Sequence, residues 1–496
     1  MHDIVVLGGG PGGYAVAFRA AARGLTVAMV EQAKVGGTCL HRGCIPSKSI
    51  LHVAEVLEEV HRADTLGLKL TFDGLDGDAL SAFRTGVIDQ LHKGLEFLAN
   101  KRTTLHHGRG RIVREEDGGL AVEVTPVDGG EPARVRARHV VLATGSVPRG
   151  LPGIEIDGEV VQTSDEALWF TAAPEHAVII GAGAIGMEFA SMWRPMGSRV
   201  TVVEALDRVL PLEDVDSSKA ITKAYRRRGI DVMTSTRLRS IDVVDGRATI
   251  EVEVTGAAGG KTGAAGGQAW SATEQLQADR VLIATGRAPN TADTGAQELG
   301  VLDERGFAVT DAYGATEVAG LWAVGDVRPT LALAHAAFAE GFVVADRIAG
   351  IDGVAPVDHA HTPRVTYCHP EVASVGLTEA EAREHHGDDA VEVTTYSMKA
   401  NAKGIIAGSD GHVKVVHAAG EVPTGAPGTV PAPGGPVLGV HLVGPHATDL
   451  IGEATLATAW EAVPAELAAI THAHPSLYEA IGEAFQAAAG LPFHGH

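Results

Sequence analysis

Three cysteines in 496 residues are too few for a disulfide framework, and two of them, Cys39 and Cys44, lie close together beside glycines. In a chain that reads as cytoplasmic, such a pair implies chemistry and not stapling. No run approaches the ~18 uninterrupted apolar residues that a membrane-spanning helix needs, so no membrane association is expected. The first strand, Ile4-Val5-Val6-Leu7, begins almost at Met1 and leaves no room for a targeting peptide. Basic side chains are outnumbered, 40 against 62 acidic. The resulting formal charge of −22 repels a polyanion over most of the surface, so nucleic acid is not an expected partner. Aromatic residues make up only 4%.

The abundant residues are glycine (62) and small aliphatics within a hydrophobic share of 45%, which suits an α/β enzyme with tight turns and buried parallel strands. The length favours about three domains of ~100–200 residues each. The chain opens with strand Ile4–Leu7, turn Gly8-Gly9-Gly10-Pro11-Gly12-Gly13, an Ala-rich amphipathic run and strand Leu25–Glu31. Gly8, Gly10 and Gly13 match G-x-G-x-x-G: the first permits a tight turn, the second admits a pyrophosphate, and the third allows close helix packing. Glu31 stands where a carboxylate accepts from ribose hydroxyls. The unit recurs with Ala177–Ile180, Gly181, Gly183 and Gly186, a helix, and Val200–Glu204, and in both copies the acid lies 23 positions after the first glycine. Val141-Leu142-Ala143-Thr144-Gly145 likewise returns as Leu282-Ile283-Ala284-Thr285-Gly286. A lone fingerprint also suits a turn with nothing bound; two with matched acids write two dinucleotide folds. Pro195 is expected to kink or end the second crossover helix just before Gly197. Beyond about residue 355, strands such as Val413–Val416 and Val437–Val440, followed by Ala-rich helices, predict an α+β third domain. The Gly-, Ala- and Pro-rich stretches Gly256–Gln268 and Gly420–Pro436 read as hairpin loops without function.

The segment Gly36-Gly37-Thr38-Cys39-Leu40-His41-Arg42-Gly43-Cys44-Ile45-Pro46-Ser47-Lys48 is the most informative. Pro46 suits the start of a helix, and the periodicity that follows places Cys44 at its N-terminus, where the dipole favours a thiolate. Lys48, one turn on, adds positive charge. The segment resembles the redox-active disulfide motif of the flavin disulfide reductases, the class I pyridine nucleotide-disulfide oxidoreductases, in which two cysteines are likewise separated by four residues. The resemblance covers nearly the whole chain and points to the branch that oxidises dihydrolipoamide.

What it implies is specific. FAD occupies the first fold, held by Gly8, Gly10, Gly13, Glu31, Gly37, Thr38, Lys48, Gly110, Thr144, Gly145, Asp326 and Ala334, with Asp326 on the ribityl chain. NAD occupies the second, held by Gly181, Gly183, Gly186, Glu188, Glu204 and Gly286, with Glu188 able to pair with Lys48. Glu204 favours NAD over NADP, because a carboxylate accepts from a free 2′-hydroxyl and repels a phosphate; Arg208 is taken as the ion-pair partner of Glu204 or as solvated. Cys44 is the thiol next to the flavin and Cys39 the thiol that exchanges with substrate. The stretch His474-Pro475-Ser476-Leu477-Tyr478-Glu479 resembles the family's acid/base motif, with His474 as base, Glu479 orienting it, and His474 reaching the disulfide of the other subunit of a homodimer. His472 is a surface residue, and Cys368 a small buried side chain. No metal is expected, since no second cysteine pair has zinc-ligand spacing.

The implied architecture is two Rossmann-like dinucleotide-binding domains plus a C-terminal α+β dimerisation domain. Residues 1–150 form the FAD domain, 151–279 the NAD domain, 280–352 a central segment completing the FAD domain, and 353–496 the dimerisation domain. The implied activity is cytoplasmic oxidation of a lipoyl dithiol, carried by the lipoyl domain of a 2-oxoacid dehydrogenase or glycine cleavage complex, with reduction of NAD. The alternatives are another flavin disulfide reductase or an NADH-dependent quinone reductase. The absence of a C-terminal thiol pair speaks against mercuric and large thioredoxin reductases, and Glu204 against NADPH-dependent enzymes.

Overall fold

The computed structural model describes residues 1–255, 271–422 and 432–494. Strand β1 (His2–Leu7) forms because its apolar run has buried neighbours on both sides. Ile4 and Val6 enter one core and Val5 and Leu7 another, so the sheet is covered on both faces. Helix α1 (Pro11–Ala22) begins with Pro11 in its first turn. The chain continues through β2 (Val27–Glu31), α2 (Gly37–Arg42), α3 (Cys44–His61), α4 (Gly77–Arg102), β3 (Thr104–Arg114), β4 (Leu120–Pro126) and β5 (Ala133–Leu142). Strands β3, β2, β1 and β5 lie parallel in that order, and β4 pairs antiparallel with the far half of β3 and with β5.

The second unit repeats the design. Strands Ile230–Met233, Arg199–Val203, His176–Ile180, Arg280–Ile283 and Val161–Gln162 form an all-parallel sheet in that order, flanked by an antiparallel sheet of Thr236–Val244, Arg247–Thr255 and Ser271–Ala278. Its crossover helix stops at Trp193, two residues before Pro195, and Gly197 turns the chain at φ +101°, as the sequence predicts. The chain then returns to the first sheet, where Leu321–Ala323 adds beside β5 and the helix Ala334–Ile348 lies against α1. A Cβ on Gly341 would stand 2.8 Å from that of Ala15, so glycine sets this close approach. Arg19 and Arg23 both pair with Asp346 across the same contact.

The C-terminal region is a five-stranded antiparallel sheet ordered Arg364–Thr366, Glu371–Gly376, Val437–Gly444, His412–Ala418, Val391–Ser397. Helices Ala447–Ala459 and Tyr478–Ala488 bury Leu450, Ile451, Ala484 and Phe485 against Val413, Val415, Val440 and Leu442. The predicted α/β class with an α+β C-terminal region is what folds. Of the low-complexity stretches, Gly256–Gln268 lies outside the described residues, as do residues 423–431 of the second; the strands on either side of each pair antiparallel. Among the described residues no helix is long and apolar enough to cross a membrane.

Candidate active site

Both glycine fingerprints are built alike. Gly8 and Gly181 sit at φ +106° and +107°, and a Cβ on either would strike the carbonyl oxygen of Ala143 or Ala284. A Cβ on Gly13 or Gly186 would come within 1.9 or 2.0 Å of the oxygen of Gly8 or Gly181, so the third glycine is required for the helix to pack. The middle glycines differ in kind. Around Gly10 the nearest atom to an added Cβ is 3.9 Å away, and around Gly183 nothing lies within 4 Å. The open side is where a pyrophosphate fits.

Capping supports that fit. Some longer helices take a side-chain N-cap, as Asp76 gives α4 and Asp214 the helix Val215–Arg227. Helix α1 and the helix Ala184–Trp193 have none, which leaves their first N–H groups to an anion. The helix that opens at Ala334 is uncapped in the same way. Glu31 accepts from the N–H of Gly9 and of Ala33, at 2.7 Å each. Glu204 accepts from Ala182 at 2.7 Å and Leu206 at 2.8 Å in the equivalent geometry. The expected Glu204–Arg208 ion pair does not form: both Glu204 oxygens already have backbone donors, and Arg208 instead donates to the Pro211 carbonyl at 3.0 Å.

The redox segment is laid against the first fingerprint. Gly36 donates to the Gly9 carbonyl at 2.8 Å, and a Cβ on Gly37, at φ +58°, would stand 2.7 Å from the Gly10 Cα. Thr38 and Cys39 lie on α2, and Cys44 is the first residue of α3, two positions ahead of Pro46. Both sulfurs are free thiols within hydrogen-bond reach, Cys39 donating to Cys44. That bond, with help from Lys48, lowers Cys44 to about 7 against the opposing effects of burial and Glu188. The same bond and burial push Cys39 well above the ordinary thiol range.

Lys48 Nζ donates to both oxygens of Glu188 at 2.9 Å and sits 4.5 Å from the centre of the Tyr367 ring, so the pair expected from sequence is formed. The Tyr367 N–H donates to the same carboxylate at 3.1 Å. Burial disfavours the Lys48 ammonium, yet the Glu188 charge keeps its pKa above the ordinary lysine value.

The remaining predicted residues fall in three places. Thr144 donates to the Asn290 carbonyl at 2.6 Å, and the Gly145 carbonyl accepts from the Asn290 N–H at 2.8 Å. Gly286, at φ +110°, takes the equivalent turn in the second unit, and Asp326 accepts from Ser146 at 2.5 Å. Gly110 is buried on β3, where a Cβ would stand 2.4 Å from Leu7 Cδ1, so it is a packing glycine as well. His474 pairs through Nδ1 with Glu479 at 2.7 Å, and Glu479 accepts from the Ser476 N–H, also at 2.7 Å. The His474 side chain is 78% exposed and makes no hydrogen bond to either cysteine within the chain. His472 is not the surface residue expected: its side chain is 10% exposed and pairs with Glu453 at 2.9 Å. Cys368 is buried as expected, its thiol pushed up to about 12.

Three further residues beside the glycine turns escaped the sequence reading. Tyr14, directly after Gly13, is pushed up to about 12 by burial and then by the charges of Cys39 and Cys44. Ser146 and Arg287 directly follow the repeated Thr-Gly turns, a position the repeat itself marks.

Comparison with known proteins agrees with this geometry. The family described as pyridine nucleotide-disulphide oxidoreductase matches residues 2–341, and its dimerisation domain matches 362–426 and 429–485. The chain belongs to the pyridine nucleotide-disulphide oxidoreductases. Enzymes of this family use FAD and NAD, and this chain is an oxidoreductase of that kind with a dimerisation domain suited to a homodimer. Dihydrolipoyl dehydrogenase of Bacillus subtilis is 36% identical over 500 residues, covering 99% of both chains. Dihydrolipoyl dehydrogenase of Mycobacterium tuberculosis is 38% identical over 496 residues, covering 99% of this chain and 98% of its own. Among solved structures, LpdA from Mycobacterium tuberculosis superposes with a TM-score of 0.84 at 25% identity, covering 98% of this chain and 99% of its own. The flavoprotein disulfide reductase RclA from Escherichia coli shares the fold, with a TM-score of 0.80 at 23% identity over 98% of this chain and 99% of its own.

Proposed function

We propose that this pyridine nucleotide-disulphide oxidoreductase is a dihydrolipoyl dehydrogenase, converting a protein-bound dihydrolipoyl dithiol and NAD⁺ to the cyclic disulfide, NADH and a proton. The observation that carries the reading is the asymmetry of the cysteine pair. Cys44, at a helix N-terminus beside Lys48, is held toward thiolate, while Cys39 is held as thiol.

The roles follow from that asymmetry. In the oxidised enzyme a substrate thiolate attacks Cys39 Sγ, the Cys39–Cys44 bond breaks, and Cys44 leaves as the better-stabilised thiolate. The second substrate thiol then attacks its own sulfur now bonded to Cys39, closing the lipoyl ring and releasing Cys39. His474 takes the substrate protons and Glu479 orients its imidazole through Nδ1, leaving Nε2 free to act as base. Its exposure suits delivery across a dimer interface. Bound FAD supplies the two-electron connection between thiol and nicotinamide. Lys48, fixed by Glu188, keeps positive charge beside Cys44, and Glu204 selects the unphosphorylated ribose.

The same reading divides the chain into a FAD domain (1–150, completed by a later segment ending at 352), a NAD domain and a dimerisation domain (353–496); the NAD domain, expected to end at 279, extends through Arg280–Ile283, because that strand pairs inside the second sheet. It assigns a cytoplasmic location and, as electron donor, the lipoyl domain of a 2-oxoacid dehydrogenase or glycine cleavage complex. The test is the initial rate of dihydrolipoamide oxidation with NAD⁺ and with NADP⁺, beside Cys44→Ser. Rapid NAD⁺-selective turnover that the substitution abolishes is expected. FAD-loaded protein without dithiol turnover overturns the assignment.

A further inference from the structure

His474 lies in a loop that the main chain does not hold. Residues 471–476 run between the short helix Pro464–Ala468 and the helix Tyr478–Ala488. Among the described residues, none of their N–H or carbonyl groups bonds to another backbone group. A segment without backbone pairing opens readily unless side chains fix it. Side chains from two other elements do so, one two residues before His474 and one two residues after it.

On the first side, His472 Nε2 bonds to Glu453 Oε1 at 2.9 Å, and Glu453 stands on the helix Ala447–Ala459. The same imidazole lies against the backbone of the helix that follows the loop, where a Cβ on Gly482 would stand 2.5 Å from His472 Nδ1. On the second side, the Ser476 carbonyl accepts from Asn401 Nδ2 at 2.9 Å. Asn401 is 3% exposed and uses both ends of its amide, because Oδ1 also accepts from the Gly404 N–H at 2.9 Å as the cap of the short helix Ala402–Ile406. That backbone donor requires the oxygen on its side and leaves the amide N–H groups facing the loop. The N–H of Ser476 donates in turn to Glu479, the carboxylate that holds His474. Ser476 thus connects Asn401 to the His474–Glu479 pair.

We propose that Asn401 and the His472–Glu453 pair are positioning residues for His474, fixing the backbone on either side of an imidazole that is itself 78% exposed. So exposed a side chain has little packing to orient it, and its reach toward the partner subunit depends on where its backbone is held. The inference rests on His474 being the base of the proposed dehydrogenase.

The experiment uses the FAD-saturated homodimer. It reads kcat for dihydrolipoamide oxidation, the rate of flavin reduction by NADH, and the loss that each substitution causes in a His474→Gln background. Asn401→Ser keeps a side-chain cap for the helix at Ala402 but is too short to reach Ser476. It is expected to lower kcat about tenfold, within the ~10²-fold that a 1 Å misplacement costs, and to leave flavin reduction at the parent rate. Glu453→Ala does the same, and Glu453→Gln recovers most of the loss, because its amide oxygen still accepts from His472. In the His474→Gln background neither Asn401→Ser nor Glu453→Ala slows turnover further, since a residue that acts through His474 has nothing left to position. A general weakening of the fold slows both backgrounds alike. Parent kcat in both single variants overturns the proposal, as does a loss that persists undiminished in the His474→Gln background. Parent kcat in His474→Gln itself removes the base assignment and the inference with it, whereas a slow His474→Gln beside parent-like Asn401→Ser and Glu453→Ala removes the inference alone.

Discussion

Lys48 on the redox helix donates to both carboxylate oxygens of Glu188, at 2.9 Å each, across 140 residues of sequence. The pair ties α3 to the crossover helix of the second unit, so the two units share one charge pair beside the thiols. Their effects on Cys44 are opposite, Lys48 lowering its pKa and Glu188 raising it. Lys48→Met is therefore expected to move the Cys44 titration above about 7 and Glu188→Gln to move it below. The pH dependence of the thiolate–flavin absorbance reads both, and shifts in the same direction refute the account. Either variant removes charge-assisted hydrogen bonds worth roughly 2 kcal/mol, measurable by chemical denaturation.

Stability of the dithiol form should depend on pH with a definite sign. Cys44 is lowered from 9.0 to about 7, so between these values the folded state has released a proton that the unfolded chain retains, and stability rises with pH. That contribution is lost as pH falls through about 7. Cys39 is raised, so above 9.0 the unfolded chain releases a proton that the folded state keeps, and stability falls again. Reduced enzyme is expected to melt highest near pH 9, gaining roughly 1–2 kcal/mol on rising from neutrality. Cys44→Ser should flatten the lower limb in scanning calorimetry.

His474→Gln should slow dihydrolipoamide oxidation by about 10²–10⁴ while leaving flavin reduction by NADH near the parent rate. Glu479→Gln keeps a carbonyl for the Nδ1 bond but loses the charge, and it should cost less, about tenfold to a hundredfold. Stopped-flow measurement of the two half-reactions separates these cases; equal loss in both directions contradicts the base assignment.

Glu204→Ala removes the acceptor for the Ala182 and Leu206 N–H groups and the proposed acceptor for the ribose hydroxyl. The KM for NAD⁺ should rise roughly tenfold, the worth of one charge-assisted hydrogen bond, with relative tolerance of NADP⁺ increasing. Steady-state kinetics with both nucleotides provides the check.

A fully buried lysine joins the second unit to the C-terminal sheet. Lys414 donates to Asp214 and Asp216 at 2.8 Å and lies 2.7 Å from a Glu379 oxygen, with its own side chain 0% exposed. Asp216 is lowered to about 2, first by that hydrogen bond. Lys414→Met leaves the buried Asp214 without its cation, while Asp216 and Glu379 keep Lys219 and Arg383, and it should destabilise the fold by about 3–5 kcal/mol, seen as a lower denaturation midpoint.

Much of the fold was legible because its signals are local. A glycine at positive φ under a carbonyl, as Gly8 and Gly181 are, is a steric necessity that survives in sequence, and so is a helix stopping ahead of Pro195. Cys44 at a helix start was readable from Pro46 and the periodicity after it, and the Lys48–Glu188 pair from the family resemblance. The Arg287–Ser146 contact was not, although the Thr-Gly repeat marked both positions, because no periodicity reports that two turns 141 residues apart face each other. His472 misled for the same reason: its exposure depends on where Glu453 stands, on the helix Ala447–Ala459.

By itself the sequence determined two glycine-turn dinucleotide folds, a close cysteine pair and a His474–Glu479 pair five residues apart, because each rests on backbone sterics or on neighbours within a few turns. Only the tertiary structure decided which charges surround Cys44, that Lys414 clamps the second unit to the third, and that His474 stands exposed without a hydrogen bond to its own cysteines. Those outcomes depend on which buried face meets which, a choice made by packing and desolvation over the whole chain.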